Sequence, residues 1–474
     1  MTKERQVDVA ILGAGTVGLS AYNEVRKVTD NFVLINGGPE GTTCARVGCM
    51  PSKVLIQVAN DFHRRYVFEQ EGIRGSEHLR IDLRSVLQHV RSLRDAFVQG
   101  ILKTVDELGD RMIHGYARFR EPTVLEVEQQ IIRAKRIIIA TGSTPLIPKD
   151  WRNFSEHILT TDTLFEQNEL PSSLAVVGLG VVGIEMGQAL ARLGVQVTGI
   201  GQDERLAGLT DPDVNLYLRT VLAEEFSIHI GAAAQVEKTD TQLNVYFANM
   251  MLHPEKILAS LGRHPNISDL ALECLELPLN EHGLPPYDPT TMQIANLPVF
   301  IAGDVDGVQA VLHEAADDGR IAGFNSVQEQ PHCFQRRTPL AIVFSEPNVA
   351  IVGQSFATLK DRNIVIGEVR FDNQGRAKVM AEPRGILRVY GDKSSGRLLG
   401  AEMAAPSGEH LAHLLAWAIQ KEMTVFELLQ LPFYHPVVEE GMRTALRHLS
   451  QQVSVSRPTF ELVMCESAAV GSLS

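Results

Sequence analysis

The stretch Val7–Gly18 reads VDVAILGAGTVG, and it decides the fold of the first part of the chain. Its first half is a short apolar run rich in β-branched residues, which is typical of a buried strand. The glycine turn GAGTVG follows, and a helical pattern then extends from Leu19 to Val28. A second apolar run, FVLI, ends at Ile35. Strand, turn, helix and strand within about 30 residues are what a dinucleotide-binding fold requires.

The three glycines of this turn have separate roles in such a fold. Gly13 permits the tight turn, Gly15 lets the backbone approach a diphosphate, and Gly18 lets the helix pack closely on the strand. The diphosphate then lies at a helix N-terminus, where free N–H groups favour anions. One such motif is weak evidence, because glycine-rich turns are common.

A second copy of the pattern begins near Leu174 and reads LAVVGLGVVG. It contains Gly178, Gly180 and Gly183, continues into a helix to Leu193 and then into a second strand, VQVTGI. Two copies, each after a strand and before a helix, predict two different bound dinucleotides, such as a flavin and a nicotinamide.

The acidic ribose ligand expected at the end of each second strand is absent. Asn36 occupies this position in the first unit and Gly201 in the second. Asn36 can still bond a ribose hydroxyl, whereas Gly201 has no side chain. Arg205 is within reach of a 2′-phosphate, or it is simply an exposed arginine. These residues therefore leave NAD and NADP both open.

The remaining pattern completes an α/β chain of several domains. Residues Asp61 to Gly109 are mostly amphipathic helix, Ile137–Ala140 is a buried strand, and VFIAGDVDG ends another strand at a turn. From about Thr338, alternating strands (AIVF, VAIVG and GILRVY) precede a helical tail. We expect two Rossmann-like dinucleotide-binding domains and a separate C-terminal α+β domain, followed by a disordered end, ESAAVGSLS.

Composition excludes several classes of partner. The net charge of −13 disfavours nucleic acid and an anionic membrane surface. No apolar run approaches the length of a membrane span, and the N-terminus has no secretory signal. Five cysteines in 474 residues are typical of the reducing cytosol. We therefore expect a cytoplasmic protein that binds neither nucleic acid nor membrane.

Two of the five cysteines, Cys44 and Cys49, lie close together in TTCARVGCMPSK. On an ideal helix their Cα atoms would be about 8–9 Å apart, whereas a disulfide needs about 4.4–6.8 Å. The pair therefore needs an irregular first turn, for which Gly48 supplies the freedom. A metal site would need two more ligands, and no second close pair exists. We favour a redox disulfide over a metal site or packing thiols, and expect no metal.

These segments together resemble the flavoprotein pyridine nucleotide-disulfide oxidoreductases, most closely the dihydrolipoamide dehydrogenases, whose redox segment ends in Pro-Ser-Lys as GTTCARVGCMPSK does. The resemblance covers nearly the whole chain. Further matching segments are ATGSTP (Ala140–Pro145), ASLGRHPN (Ala259–Asn266), AGDV (Ala302–Val305), VFSEPNVAIVG (Val343–Gly353) and HPVVEE (His435–Glu440).

The resemblance implies roles for the residues around the disulfide. Cys44 would be the interchange thiol that meets the substrate, and Cys49 would face the flavin. Lys53 would lie near the reactive nitrogen of the flavin, paired with Glu185 from the second glycine unit. Asp304 would bind the ribityl chain. The other implied cofactor contacts are Thr43, Lys53, Thr141, Gly142, Gly262 and Gly303, with Asn36 and the two glycine turns.

The resemblance also implies an acid–base group on a second subunit. His435 of the partner subunit would take the proton from a substrate thiol, and Glu440 would orient it. The implied assembly is a homodimer, and the apolar segments LAHLLAWAI and FELLQL suit its interface.

The resemblance implies four segments: 1–150, an FAD-binding domain with the redox disulfide; 151–273, an NAD(P)-binding domain; 274–337, which completes the FAD domain; and 338–474, the dimerisation domain. The implied activity is oxidation of dihydrolipoamide, including lipoyl groups on a carrier protein, through FAD with NAD as acceptor. NADP is not excluded. The alternatives are NADPH-dependent reduction of another small disulfide, or a non-catalytic flavin-bound assembly subunit.

The chain departs from the family pattern at a few positions. Thr42 stands where glycine is usual, and Val437 stands where threonine is usual. Glu439 adds a charge beside Glu440. The tail has the single cysteine Cys465, whereas mercuric and large thioredoxin reductases have a second redox pair there. The single cysteine partly excludes these two groups.

Overall fold

The computed structural model describes residues 3–239, 242–308, 310–455 and 460–463. Cys465 and the segment ESAAVGSLS, which we expected to be disordered, lie outside the described residues. Within them, no helix is both long and apolar enough to cross a membrane.

The first unit contains the strand, turn, helix and strand that VDVAILGAGTVG predicts. Helix α1 begins at Thr16, within the stretch GAGTVG and earlier than expected, because Gly15 is its N-cap. The buried strand expected at 137–140 is longer and begins at Gln130. The elements are β1 (Lys3–Leu12), α1 (Thr16–Val25), β2 (Phe32–Asn36), α2 (Thr43–Arg46), α3 (Cys49–His63), α4 (Arg65–Phe68), α5 (Leu83–Asp106), β3 (Met112–His114), β4 (Ala117–Glu121), β5 (Val124–Val127), β6 (Gln130–Ile139) and β7 (Ser143–Pro145).

The first sheet has the strand order β3–β2–β1–β6–β5–β4. Its central strands β2, β1 and β6 are parallel, whereas β4 and β5 form an antiparallel extension. Parallel order brings the carboxyl ends of β1, β2 and β6 to one edge, where a dinucleotide binds in folds of this kind.

The second unit repeats the arrangement. Its sheet has the order β11–β10–β9–β15–β8, and these strands are parallel. The elements are β8 (Ile158–Leu159), α6 (Thr161–Leu164), β9 (Ser173–Val177), α7 (Val181–Arg192), β10 (Gln196–Gly201), α8 (Pro212–Leu222), β11 (Ser227–Ile230), β12 (Gln235–Lys238), β13 (Leu243–Phe247), β14 (Met250–Leu252), β15 (Lys256–Ala259) and β16 (Arg263–Pro265).

The chain then returns to the first unit. Strand β17 (Val299–Ile301) pairs with β6, and helix α9 (Leu312–Ser326) packs against α1. The return begins before the expected boundary at residue 273, because Ile267, Leu270 and Leu272 already belong to the core of the first sheet. Apolar residues just before residue 273 thus pack on that sheet, and the boundaries of the four segments stay predictions.

The C-terminal unit is an antiparallel sheet of order β18–β19–β22–β21–β20 covered by helices. Its elements are β18 (Leu340–Val343), β19 (Asn348–Gly353), α10 (Phe356–Leu359), β20 (Ile364–Arg370), α11 (Gly375–Val379), β21 (Ile386–Asp392), β22 (Leu398–Ala405), α12 (Gly408–Gln420), α13 (Val425–Leu429) and α14 (Glu439–Ser450). The expected fold class, two parallel dinucleotide-binding units and a C-terminal α+β unit, is confirmed.

The two apolar segments assigned to a subunit interface are mostly core. In α12, residues such as Leu411 and Leu415 are fully buried within the subunit, and in α13 Leu428 and Leu429 are nearly so. An apolar helix face packs on the sheet of its own subunit as readily as on a neighbouring subunit, so these segments do not identify a subunit interface. Trp417 is the large apolar member of the first segment that stays well exposed, at 64%.

Candidate redox site

The first glycine turn has the shape that close approach to a phosphate demands. Gly13 has a φ of +109°, and a Cβ there would lie 2.3 Å from the carbonyl oxygen of Ala140. A Cβ at Gly18 would lie 1.8 Å from the carbonyl oxygen of Gly13. In contrast, a Cβ at Gly15 would meet no atom within 4 Å. The absence of a side chain at Gly15 therefore keeps open space above the N-terminus of α1 for a ligand.

The second turn has the same geometry. Gly178 has a φ of +98°, and its Cβ would lie 2.3 Å from the oxygen of Ser260. A Cβ at Gly183 would lie 1.9 Å from the oxygen of Gly178, while one at Gly180 would meet nothing within 4 Å. In each turn, the first glycine leaves no room for a Cβ, the last glycine packs tightly, and the middle glycine faces open space. This geometry, present twice, fits two dinucleotide sites.

A cavity of about 700 Å³ lies at the carboxyl edge of the first sheet. Its size and the open turn fit a flavin dinucleotide. The cavity brings together most of the residues expected to bind the flavin or react with it: Gly13, Gly15, Asn36, Thr43, Cys44, Cys49, Thr141, Gly142 and Asp304. Gly18 and Gly303 support it from behind, since a Cβ at Gly303 would lie 2.3 Å from Val17. Gly262 adjoins the cavity residue Arg263.

Asp304 lies at the start of the turn after β17 and is held by two residues that the sequence did not reveal. Its Oδ2 accepts a hydrogen bond of 2.9 Å from the Ser143 hydroxyl. The Arg263 side chain donates to the Ser143 hydroxyl at 2.7 Å and to the Ser143 carbonyl at 2.6 Å. Arg263 Nε is also 4.0 Å from the Asp304 carboxylate. This network fixes the carboxylate at the cavity wall.

Asn36 lies at the end of β2 and is largely engaged by the protein. Its Oδ1 accepts from the N–H of Ala14 at 3.3 Å, and its Nδ2 donates to the carbonyl of Gly38 at 2.8 Å. The side chain therefore shapes the loop around the cavity and has limited capacity left for a ribose.

The two cysteines flank a break between two helices, as their spacing predicts. Cys44 lies in the one-turn helix α2, and Cys49 is the first residue of α3. Both are free thiols that line the cavity. Glycine is needed at position 48 for lack of a side chain rather than for conformational freedom. Its φ of −114° is open to other residues, whereas a Cβ there would lie 3.2 Å from the Cα of Cys44.

Thr42 is the N-cap of α2. Its buried side-chain oxygen accepts a 3.1 Å hydrogen bond from the N–H of Ala45. The threonine that departs from the family pattern thus stabilises the short helix that presents Cys44.

The two thiols have opposite electrostatic character. A hydrogen bond from the Cys44 thiol, together with the nearby Lys53 ammonium, holds the pKa of Cys49 below the usual range of a thiol. The same hydrogen bond and burial raise the pKa of Cys44. Cys49 is therefore the thiol of the pair that ionises more readily.

Lys53 and Glu185 meet beneath the cysteines. The Nζ of Lys53 is 3.0 Å and 2.8 Å from the two carboxylate oxygens of Glu185, whose side chain is only 3% exposed. Glu185 also accepts a 2.9 Å hydrogen bond from the N–H of Phe344, and Lys53 lies 4.7 Å from the centre of the Phe344 ring. The pair therefore joins all three units of the chain, and its contact with Phe344 has no signature in the sequence.

His435 and Glu440 are paired with each other but lie apart from the cavity. The Nδ1 of His435 is 3.0 Å and 3.1 Å from the carboxylate oxygens of Glu440. The N–H of Val437 donates to the same carboxylate at 3.2 Å. The hydrogen bond from His435 holds the pKa of Glu440 below its usual range. The His435 side chain is 81% exposed, and His435 is not one of the described residues that line the cavity.

The loop after β10 contains a pair that bears on nicotinamide choice. Arg205 Nε is 3.0 Å from both carboxylate oxygens of Asp203, two residues beyond Gly201. The Arg205 guanidinium holds the pKa of Asp203 below its usual range.

Across the described parts of the chain, no group of three or more His, Cys, Asp or Glu side chains is arranged to hold a metal ion.

Comparison with known proteins agrees with this geometry. The pyridine nucleotide-disulphide oxidoreductase family matches residues 7–319, and its dimerisation domain matches residues 340–446. A mercuric reductase from Shigella flexneri is 29% identical over 468 residues, which cover 94% of this chain and 81% of that protein. A dihydrolipoyl dehydrogenase from Geobacillus stearothermophilus is 27% identical over 448 residues, covering 92% of this chain and 94% of that protein.

Solved structures share the fold. LpdA from Mycobacterium tuberculosis gives a TM-score of 0.82 at 24% identity, covering 94% of this chain and 99% of that one. The family match spans well over half of the chain and includes both glycine turns and both cysteines. The chain therefore belongs to the pyridine nucleotide-disulphide oxidoreductases, the FAD-dependent enzymes that exchange electrons between a pyridine nucleotide and a disulfide.

Proposed function

We propose that this chain oxidises dihydrolipoamide to lipoamide, including lipoyl groups on a carrier protein, with NAD+ as the electron acceptor. The observation that carries the proposal is the thiol pair Cys44 and Cys49, which lines the flavin cavity and in which the pKa of Cys49 is lowered while that of Cys44 is raised. A flavin-bound assembly subunit would need neither this polarised pair nor the Lys53–Glu185 contact.

The reaction begins with the pair as a disulfide. A thiolate of the substrate attacks Sγ of Cys44, the Cys44–Cys49 bond breaks, and Cys49 leaves as a thiolate stabilised by Lys53. The second substrate thiol loses its proton to solvent and attacks the substrate sulfur of the mixed disulfide. Lipoamide leaves, and Cys44 recovers as a thiol. The dithiol has then lost an electron pair and two protons, and the cysteine pair has gained that electron pair.

His435 of the partner subunit serves as the acid–base group in this scheme. It takes the proton from the attacking substrate thiol and returns it to Cys44 when the mixed disulfide breaks. Glu440 orients the ring and stabilises its protonated form. The exposure of His435, its separation from the cavity of its own subunit and the match to a dimerisation domain support a homodimer.

The remaining residues direct the electron pair. When bound, FAD carries an electron pair from the cysteines to the nicotinamide. Thr43, Asp304 and the turn Gly13–Gly18 would hold it, because they line or support the cavity. Lys53 and Glu185 would keep a positive charge near the Cys49 thiolate without adding an unpaired buried charge.

NAD+ as the acceptor is supported by the loop after β10. Asp203 already engages Arg205 through both carboxylate oxygens, so the guanidinium is committed within the protein. A 2′-phosphate would have to displace that carboxylate and would meet its negative charge. The second glycine unit would therefore favour the 2′-hydroxyl of NAD+. A cytoplasmic location stays a prediction.

The proposal is tested by steady-state assays of the purified holoenzyme with dihydrolipoamide, lipoamide and glutathione disulfide, each with both nicotinamides. We expect the highest kcat/KM with dihydrolipoamide and NAD+, and loss of that activity in Cys49→Ser. Higher kcat/KM for glutathione disulfide with NADPH would favour the alternative disulfide reductase. Hg²⁺-dependent oxidation of NADPH as the dominant activity would overturn the substrate assignment and would show that a single tail cysteine does not exclude a mercuric reductase.

A further inference from the structure

Arg46 is an arginine of the flavin cavity whose side chain has no partner among the described residues. It is the last residue of α2 and lines the cavity with Thr43, Cys44 and Cys49. Its Nε is buried and makes no hydrogen bond. No residue in the described parts of the chain pairs with its guanidinium. A buried donor without a partner costs free energy, so an arginine in this place needs a compensating group.

The other charged groups of the cavity do not supply that compensation. Arg263 is engaged by Ser143 and Asp304, and Asp304 itself accepts from Ser143. Asp162 is engaged by Thr161. Asp269 also lines the cavity but forms no ion pair with Arg46. The Arg46 guanidinium is therefore not satisfied by the other charged side chains that line the cavity.

The position of Arg46 on α2 directs it toward the ligand side of the cavity. Thr43 and Arg46 are three residues apart on a helical turn, so they lie on the same face. Thr43 is exposed to the cavity, and the open glycine turn at Gly15 lines the same space. The cavity therefore offers two sets of donors to an anionic ligand: the N–H groups at the start of α1, and the guanidinium of Arg46, which is suited to bind two oxygens at once.

We propose that Arg46 binds an anionic oxygen group inside the cavity. The phosphate groups of the bound dinucleotide are the first source of that chemistry, and a carboxylate on the disulfide substrate is the second. The substrate source rests on the proposed function, whereas the dinucleotide source rests on FAD binding alone. In either case Arg46 is a ligand-binding residue that the reaction scheme does not otherwise use.

The test compares Arg46→Met with Arg46→Lys, and uses Arg74→Met as the matched control. Arg74 lies in the same unit, its side chain is 77% exposed, and it does not line the cavity. FAD affinity is measured from the fluorescence of flavin released on dilution of the holoenzyme. KM is measured for oxidised lipoate, which has a carboxylate, and for lipoamide, which has none.

If the dinucleotide is the ligand, Arg46→Met raises the Kd for FAD by about 10- to 100-fold, as expected for loss of a charge-assisted hydrogen bond. Arg46→Lys recovers most of that loss, and Arg74→Met matches the wild type. If the substrate is the ligand, FAD affinity is unchanged and Arg46→Met raises the KM for oxidised lipoate but not for lipoamide. The FAD measurement stays informative even if no disulfide is turned over.

Unchanged FAD affinity together with an unchanged ratio of the two KM values in Arg46→Met would overturn the proposal. If Arg46→Met does not fold, Arg46→Gln provides the same comparison, because it removes the charge and keeps a polar side chain. An equal loss of FAD affinity in Arg46→Lys and Arg46→Gln would also overturn it, because the charge would then have no part in binding.

Discussion

The Nζ of Lys53 lies 2.8 Å from Oε2 of Glu185, although 132 residues separate them in the chain. Lys53 is one turn from Cys49 on α3, and Glu185 is on α7 behind the second glycine turn. The ion pair therefore connects the redox thiols with the nicotinamide unit at the point where the two units pack. It places the Lys53 ammonium, whose charge is balanced by the Glu185 carboxylate, near the Cys49 thiolate.

Removal of that charge should raise the pKa of Cys49. Lys53→Met removes the ammonium that favours the thiolate, so more of the thiol stays protonated at a given pH. The pH dependence of Cys49 alkylation in the reduced protein measures this, with a midpoint below the value of about 8.5 for a free thiol in the wild type. The midpoint should move upward in Lys53→Met and stay in place in Lys27→Met, whose side chain is 62% exposed and pairs with Glu24. An unmoved midpoint in Lys53→Met would refute the electrostatic role.

Two alanine substitutions in one glycine turn should separate folding from cofactor binding. Gly18→Ala places a Cβ 1.8 Å from the Gly13 oxygen, so it should cost about 1–3 kcal/mol in the free energy of unfolding. Gly15→Ala meets no atom within 4 Å, so the apoprotein should unfold as the wild type does. It should nevertheless weaken FAD binding, because the Cβ occupies the space for the diphosphate.

Urea unfolding of the apoprotein and flavin fluorescence measure the two effects. The comparison is sharp because the two positions lie in the same turn. Equal losses of stability in both variants, or normal FAD affinity in Gly15→Ala, would contradict the assignment of the turn.

His435→Gln should slow one half of the reaction. Removing a positioned base costs about 10²–10⁴ in rate, so reduction of the holoenzyme by dihydrolipoamide should slow by that factor. Its reduction by NADH needs no imidazole and should be nearly unchanged. Glu440→Gln should show a smaller loss in the same half-reaction, since Glu440 acts through His435. Stopped-flow absorbance separates the halves, and equal slowing of both would make His435 a structural residue.

Local patterns were enough to predict the parts of the site that depend on short stretches of chain. Gly13, Gly15 and Gly18 are constrained by one turn, and the break between Cys44 and Cys49 follows from the reach of a disulfide. Each of these expectations needed only residues that are neighbours in sequence.

Contacts between distant segments could not be predicted. The N–H of Phe344 donates to Glu185 across 159 residues, and a backbone donor has no sequence signature. Arg263 joins Ser143 and Asp304 only because β16 pairs with β7. Burial of Leu411 and Leu415 inside the subunit was missed for a related reason, since an apolar helix face does not reveal which surface covers it.

The most direct test of the account counts the electrons that the holoenzyme takes up. In anaerobic titration with NADH, the oxidised wild type should accept one more electron pair per subunit than Cys49→Ser, because the disulfide accepts a pair in addition to the flavin. The variant should keep its FAD, since Gly13–Gly18 and Asp304 are unchanged. Equal uptake by the two proteins would contradict the central claim that Cys44 and Cys49 form the redox centre.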